Sequence, residues 1–317
     1  MITTLALQKI HHQVTRLSEP AEFDTSQSLV TVRNSLDLKD YQIYLEICHK
    51  NIQNMSIKFS EDVTYEKYFY KFKTIKLIIF SDISATPRIQ NFAEMFPNVE
   101  EIILNGVYSI NTIFAYSNIK SINLETVYLI SSYSFYSCKN LKNVNLRWCN
   151  VISEFAFANS GIEGKIILGS VTLYKCAFLN TNIEEIDAQS LTYSEDSDYY
   201  SSDMDKIDVF AGCYKLKRAI IRESLDFSIF AGADNLNGIQ IDKFDSLYEY
   251  PLLYDRDRTT LISCFPSGKI KEITVPQSVQ RLEYGFKYCK FIEKITILSQ
   301  NIYSFRKYTF KECTNLK

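Results

Sequence analysis

Aliphatic residues recur along most of this chain at fixed offsets rather than in runs. In SFYSCKNLKNVNL, residues 134–146, Phe135 is followed by Cys138, then Leu141, Val144 and Leu146, with polar residues between them. The outline returns at Phe210, Cys213, Leu216, Ala219 and Ile221, and again at Phe286, Cys289, Ile292, Ile295 and Ile297. Phe310, Cys313 and Leu316 begin a further copy. A second form omits the cysteine and mostly one residue, as in FAYSNIKSINL, FANSGIEGKIIL, FLNTNIEEIDA and FPSGKIKEITV, while FAGADNLNGIQI keeps the full length. Upstream, FPNVEEIIL and FKTIKLIIF carry the aliphatic part, and NIQNMSI carries it weakly. The aliphatics three and five residues after each anchor alternate as in a short strand, with every second side chain on one side.

The anchors are Ile52, Ile75, Val99, Ile119, Leu141, Ile162, Ile183, Leu216, Leu236, Ile270, Ile292 and Leu316, and most of their spacings fall between 20 and 24 residues. The two longer spacings require insertions at about 193–206 and 243–260. A period of this length means stacked units, because one short strand cannot bury its apolar face alone. The phenylalanines are expected on the opposite wall, filling the space behind the strands. The cysteines beside them are expected to be buried as small apolar residues.

Both forms of the unit resemble the BspA-type leucine-rich repeats, which read roughly AFxxCxxLxxIxI or AFxxTxLxxIxI. The resemblance covers about residues 69–317 and departs where a proline often follows the strand; Pro276 in ITVP is its clearest instance here. It implies a right-handed curved solenoid with a role in protein or surface recognition, and it supplies no catalytic residues. The expected fold class is therefore an α/β leucine-rich-repeat right-handed solenoid, β-rich, with about 11–12 short repeats over residues 48–317. Residues 1–47 are expected to form a non-repeating segment. Within and just past it Leu38, Tyr41, Leu45 and Cys48 fall at helical spacing, so a short helix capping the first coil is expected. The sequence stops mid-unit, so either the chain is a fragment or its last coil frays.

Composition narrows the function. The 317 residues are 46% hydrophobic and 23% charged, enough to bury a substantial core. A net charge of −2 gives no global case for nucleic acid or an anionic membrane. No apolar window approaches the length of a membrane span, and the N-terminal MITTLALQKIHHQVTRL lacks the apolar core of a signal peptide. The eight cysteines show no CxxC spacing, so free thiols are expected rather than a metal cluster. His11, His12 and His49 are the only histidines. No histidine-dependent nucleophile can therefore lie within the repeats, and no phosphate-binding glycine motif occurs. No enzyme activity, cofactor or metal is expected. The acidic stretch YSEDSDYYSSDMDKID, residues 193–208, lacks the glycine and final glutamate of a calcium loop and reads as a solvated excursion.

The remaining candidate is the face formed by strand residues that flank the buried aliphatics. It comprises Asn143, Asn145 and Arg147; Glu185, Asp187 and Gln189; Arg218, Ile220 and Arg222; Gln240 and Asp242; Glu272 and Thr274; and Lys294 and Thr296. Glu185 and Asp187 are expected beside Arg218 and Arg222 of the next coil, either as a cross-strand ion-pair cluster or as a ligand hot spot. The expected function is non-enzymatic recognition of another protein by the concave face, with an adhesin-like role. The alternative is an intracellular, F-box-like adaptor that docks through its N-terminal segment and selects clients with its repeats. The unbridged cysteines favour the cytoplasm, and the family resemblance favours the cell surface. The ligand's identity and the oligomeric state stay open.

Overall fold

A computed structural model describes residues 21–64, 70–193, 209–222, 227–230, 233, 235–236, 238–241, 246–249, 251–265, 270–287, 289–306 and 309–317. The chain is a β-solenoid of about ten turns. Its first strand ladder runs through Leu29–Val32, Asn54–Ile57, Leu77–Ser81, Glu101–Asn105 and Ser121–Ile122, each parallel to the next. It resumes at Glu163–Leu173 and continues through Asn182–Tyr193, Arg218–Ile221 and Gly238–Ile241. Glu272–Val275 and Lys294–Ile297 form a separate parallel pair. The anchor rule holds through most coils. Val99, Ile102 and Leu104, for example, are all buried, as are Ile183, Ile186 and Ala188.

At Ile162 the rule slips by one residue. The template points to Lys165 and Ile167, but Ile166 and Leu168 are buried and Ile167 is exposed. Pairing with the next coil goes from Gly164–Ile183 to Lys165–Glu185 and passes over Glu184. Gly164 sits at φ +73, a conformation that costs glycine little and other residues more.

A second ladder was not read from the sequence. It pairs Ser109–Ile110, Leu129–Ile130 and Val151–Ile152 with the C-terminal halves of Glu163–Leu173 and Asn182–Tyr193. Between the ladders the chain turns a corner whose inward residues are Val107, Val127, Cys149 and Val171, all buried. The insertion near 243–260 folds back as antiparallel strands Ser246–Glu249, Leu252–Asp255 and Thr260–Cys264. The last of these runs parallel to Arg281–Gly285, which pairs in turn with Ser304–Phe305, in a sheet separate from the second ladder. The residues of the first insertion from 194 to 208 lie outside the described residues, as do His11, His12 and Asp242.

The phenylalanines form a continuous buried column. Rings 114, 135, 157, 178, 210 and 230 stack at centroid separations of 5.0 to 5.6 Å, with interplanar angles of 4° to 22°. The separations follow the spacing of adjacent coils, about 4.8 Å in a parallel ladder. The cysteines three residues later add a hydrogen bond to the apolar role expected of them. The thiols of Cys138, Cys213 and Cys313 donate to the carbonyls of Phe114, Phe178 and Phe286 in the preceding coil, at 3.0 to 3.1 Å. All eight cysteines are free. Burial pushes the Cys138 thiol up to about 11 and the Cys149 thiol up to about 12. Both therefore stay protonated and unreactive near neutrality.

The positions just after the anchors carry charge and pair between adjacent coils. Lys120 pairs with Glu100 at 2.9 Å and Lys142 with Glu163 at 3.2 Å. Glu293 stands between Lys271 and Lys317 at 3.5 and 3.1 Å.

Residues 22–32 already belong to the first ladder, with Glu22–Asp24 antiparallel to Leu29–Val32. The expected helix forms at Tyr41–His49, and the Asp40 carboxylate accepts from the Gln42 and Ile43 amides at its start. It connects two neighbouring parallel strands rather than standing at the end of the stack. Its inward face is Ile43, Tyr44 and Ile47, whereas Tyr41 and Cys48, two of the residues at helical spacing, are exposed.

Candidate functional site

The candidate face does not form one continuous stripe. Asn143, Asn145 and Arg147 lie where the first ladder is interrupted, and all three are exposed. The Asn145 side-chain oxygen accepts from the Arg147 amide at 3.2 Å. One coil earlier the Asn123 side chain both accepts from the Leu104 amide and donates to its carbonyl, at 2.7 and 3.0 Å. A side chain thus replaces the backbone pairing that lapses there. Glu272, Thr274, Lys294 and Thr296 sit on the separate strand pair. There Glu272 is opposite Lys294 and Thr274 opposite Thr296, and the two charges stand 3.8 Å apart.

The middle group converges. One row across the ladder reads Lys165, Glu185, Arg218 and Gly238; the next reads Ile167, Asp187, Ile220 and Gln240. Lys165 reaches Glu185 at 2.9 Å and Asp187 at 3.0 Å. Arg218 reaches Glu185 at 3.2 Å, and Arg222 reaches Asp187 at 2.6 Å while also donating to the Ala188 carbonyl at 3.2 Å. Two carboxylates are therefore held among three cations. The Arg222 hydrogen bond, then that of Lys165, keeps the Asp187 carboxyl below its ordinary value. Hydrogen bonds to Glu185 and Asp187 hold the Lys165 ammonium above its own. Gln189 and Gln240 are exposed at the margin.

Lys165 and Ile167 were missed by sequence reasoning because the unshifted template points them inward. The signal was Gly164, whose positive φ accompanies the one-residue shift. The shift turns Ile167 outward, 43% exposed, so that isoleucines 167 and 220 flank Asp187. The result is a charged patch with an apolar stripe through it. None of its members is a nucleophile beside a base. Among the described residues no group of three or more histidine, cysteine or carboxylate side chains is placed to hold a metal. None of the described helices is long and apolar enough to cross a membrane.

The coil geometry, the phenylalanine column and the cysteine corner together specify one type of repeat. Six copies of the BspA type leucine-rich repeat region match residues 110–227 and 260–317, more than half of the chain. The chain belongs to the BspA-type leucine-rich repeat family. Among solved structures, this family member is similar to a leucine-rich repeat protein from Bacteroides ovatus. Identity is 18%, covering 85% of this chain and 78% of that one, with a TM-score of 0.36. A leucine rich cell surface protein from Faecalibacterium prausnitzii is 15% identical over 95% of this chain and 73% of its own, with a TM-score of 0.34. A leucine-rich repeat protein from Eubacterium ventriosum is 14% identical over 93% of this chain, which spans 62% of its length, with a TM-score of 0.29. No curated protein matches the chain.

Proposed function

We propose that this BspA-type repeat protein is a non-enzymatic recognition protein that binds another protein through the outward face of its first ladder. The observation that carries this reading is the cluster of Lys165, Glu185, Asp187, Arg218 and Arg222 around Ile167 and Ile220. Repeat solenoids present extended surfaces made of successive strands. Arginines beside exposed aliphatics supply the residue types on which protein interfaces concentrate their energy. Partly exposed ion pairs contribute little to stability, roughly 0.2–1 kcal/mol each, so five charged side chains gathered on one patch are weakly justified by folding alone. The compartment proposed is the cytoplasm, on the eight free thiols, with adhesin-like surface display the alternative that family membership favours.

Proximity labelling in the source cell, with the label fused at the N-terminus, tests both parts when combined with protease shaving of intact cells. Survival of shaving and a reproducible protein neighbour are expected. That neighbour should be lost when Arg218→Glu and Arg222→Glu are combined. Removal by shaving would replace the cytoplasmic reading with surface display. Retention of the neighbour by the double variant would refute this face as the binding site.

A further inference from the structure

A different surface stands out on the turns that carry the phenylalanine column. Four aromatic rings from three consecutive coils meet there outside the core. Tyr116 lies edge-on to Tyr136, with centroids 5.4 Å apart; Tyr136 is tilted against Tyr133 at 5.7 Å; and Tyr133 stacks on Phe155 at 5.0 Å and 8°. Tyr116 is 67% exposed and Tyr133 is 44% exposed.

Two positions in these turns adopt left-handed backbone, two residues before the buried phenylalanine and two after it. In neighbouring coils the later position is held by Ser137, Asn159, Asn180 and Gly212, and an earlier one by Cys176. Small or amide side chains suit that conformation, so the fold is served without a ring there. Tyr116 at φ 62, Tyr133 at φ 59 and Phe155 at φ 54 accept it with bulky side chains instead. Bulky residues kept in an unfavourable conformation and partly in water point to use rather than packing.

The platform also has a charge. The Tyr133 amide donates to the Glu154 carbonyl at 3.0 Å, which places that residue in the adjoining coil. The Glu154 carboxylate accepts from the Ser132 hydroxyl at 2.7 Å and forms no ion pair among the described residues. Lys175 follows one coil further on, its carbonyl accepting from the Phe155 amide, and it forms no ion pair with Glu154. Burial, then the Glu154 charge, holds the Tyr133 phenol above its ordinary value, so the carboxylate's field is felt at the ring. Negative aromatic faces beside a carboxylate complement a cation with its own flat or alkyl surface.

We propose that the Tyr116–Tyr133–Tyr136–Phe155 platform, with Glu154, is a second recognition surface that takes arginine or lysine side chains from a basic segment of a protein partner. It lies on the turns and is independent of the ion-pair cluster on the first ladder.

The test uses the full chain and a fluorescein-labelled ten-residue peptide of alternating arginine and serine, read by fluorescence anisotropy. A peptide with glutamate in place of arginine is the comparison. The arginine peptide is expected to bind and the glutamate peptide not to bind. Tyr116→Ser and Tyr136→Leu should each weaken binding about two- to fivefold, the scale of a surface cation–π contact. Glu154→Gln should weaken binding and flatten its salt dependence. The Arg218→Glu, Arg222→Glu variant should bind the arginine peptide at least as well as the wild-type chain. Tyr116 is largely in water, so its substitution reads binding without unfolding the turn. Absence of arginine-peptide binding up to millimolar concentration, equal binding of both peptides, or unchanged affinity in the platform variants would each overturn the proposal. Loss of binding only in the first-ladder variant would overturn it as well.

Discussion

The phenylalanine column carries a quantitative prediction. Phe157 is fully buried and stacked on both faces, 5.0 Å from Phe135 and 5.4 Å from Phe178. Phe310 stacks on Phe286 at 5.6 Å and is 38% exposed. Truncating a core phenylalanine to alanine costs about 3–5 kcal/mol, and each aligned ring pair adds about 0.5–1.5 kcal/mol beyond area. Phe157→Ala should lie at or slightly above the top of the first range, about 5 kcal/mol, because both faces are lost and the coils on either side prevent collapse. Phe310→Ala loses one stacked face and a partly wetted ring, so about 1–2 kcal/mol is expected. In a stacked array the first substitution weakens ring contacts with two neighbouring units and the second with one. Urea unfolding followed by far-UV circular dichroism should show a much lower midpoint for Phe157→Ala. Native-state hydrogen exchange should show opening of Leu129–Ile130 and Asn182–Tyr193, which bracket the missing ring in sequence. Phe157→Leu should recover the larger part of the loss. Equal losses for the two truncations, or a cost below about 1.5 kcal/mol at Phe157, would refute the column as the main stacking element.

Further outcomes follow from single positions. A Cβ on Gly161 would lie 2.1 Å from the Lys139 carbonyl oxygen, so Gly161→Ala must push two backbones apart. A loss of about 2–3 kcal/mol in urea is expected, against no change if the coils separate freely. Cys48 is exposed while Cys138 and Cys149 are buried with raised thiols. A thiol reagent at pH 8 should therefore label Cys48 quickly and those two only on unfolding, as read by peptide mass mapping. The unfolded chain loses the Cys138 proton near 9.0 and the folded chain near 11. Stability from this group is thus present below 9 and falls between about 9 and 11, by up to about 3 kcal/mol. Cys138→Ala should flatten that decline in an alkaline unfolding series. For Asp187 the sign is opposite. Its carboxyl is depressed below 3.8, so its contribution is present above that value and falls as the pH drops through it. Asp187→Asn should remove this acid dependence, with less than about 1 kcal/mol at stake because the pairs are partly exposed; an unchanged acid limb would show that the pairs add no net stability.

The parts of the structure that were legible are those set by local alternation. Aliphatics at anchor+3 and anchor+5 identify the first ladder because successive strand residues face opposite ways, so two inward residues and a period suffice. The second ladder escaped the same logic. Its inward positions, such as Val107 and Ile110 or Val127 and Ile130, lie three residues apart around a corner. That spacing belongs to neither a strand nor a long helix. Cys138, Cys213 and Cys289 were read correctly as interior and Cys313 is half-buried, but the hydrogen bond of Cys138, Cys213 and Cys313 to the preceding phenylalanine carbonyl depends on which coil lies beneath, and no spacing encodes that. The first-ladder patch shows the same limit. Glu185, Asp187, Arg218 and Arg222 were found because their coils are regular, whereas Lys165 and Ile167 were lost to one residue at Gly164. The turn platform was further out of reach. Tyr116, Tyr133, Tyr136 and Phe155 occupy three different places in the repeat template, and only stacking the coils brings their rings within 5.0 to 5.7 Å. In a solenoid, residues that depart from the repeat consensus are the ones free to differ in function. The period therefore reveals the scaffold and hides the sites, and departures that cost backbone comfort and are brought together only by stacking are the positions to test first.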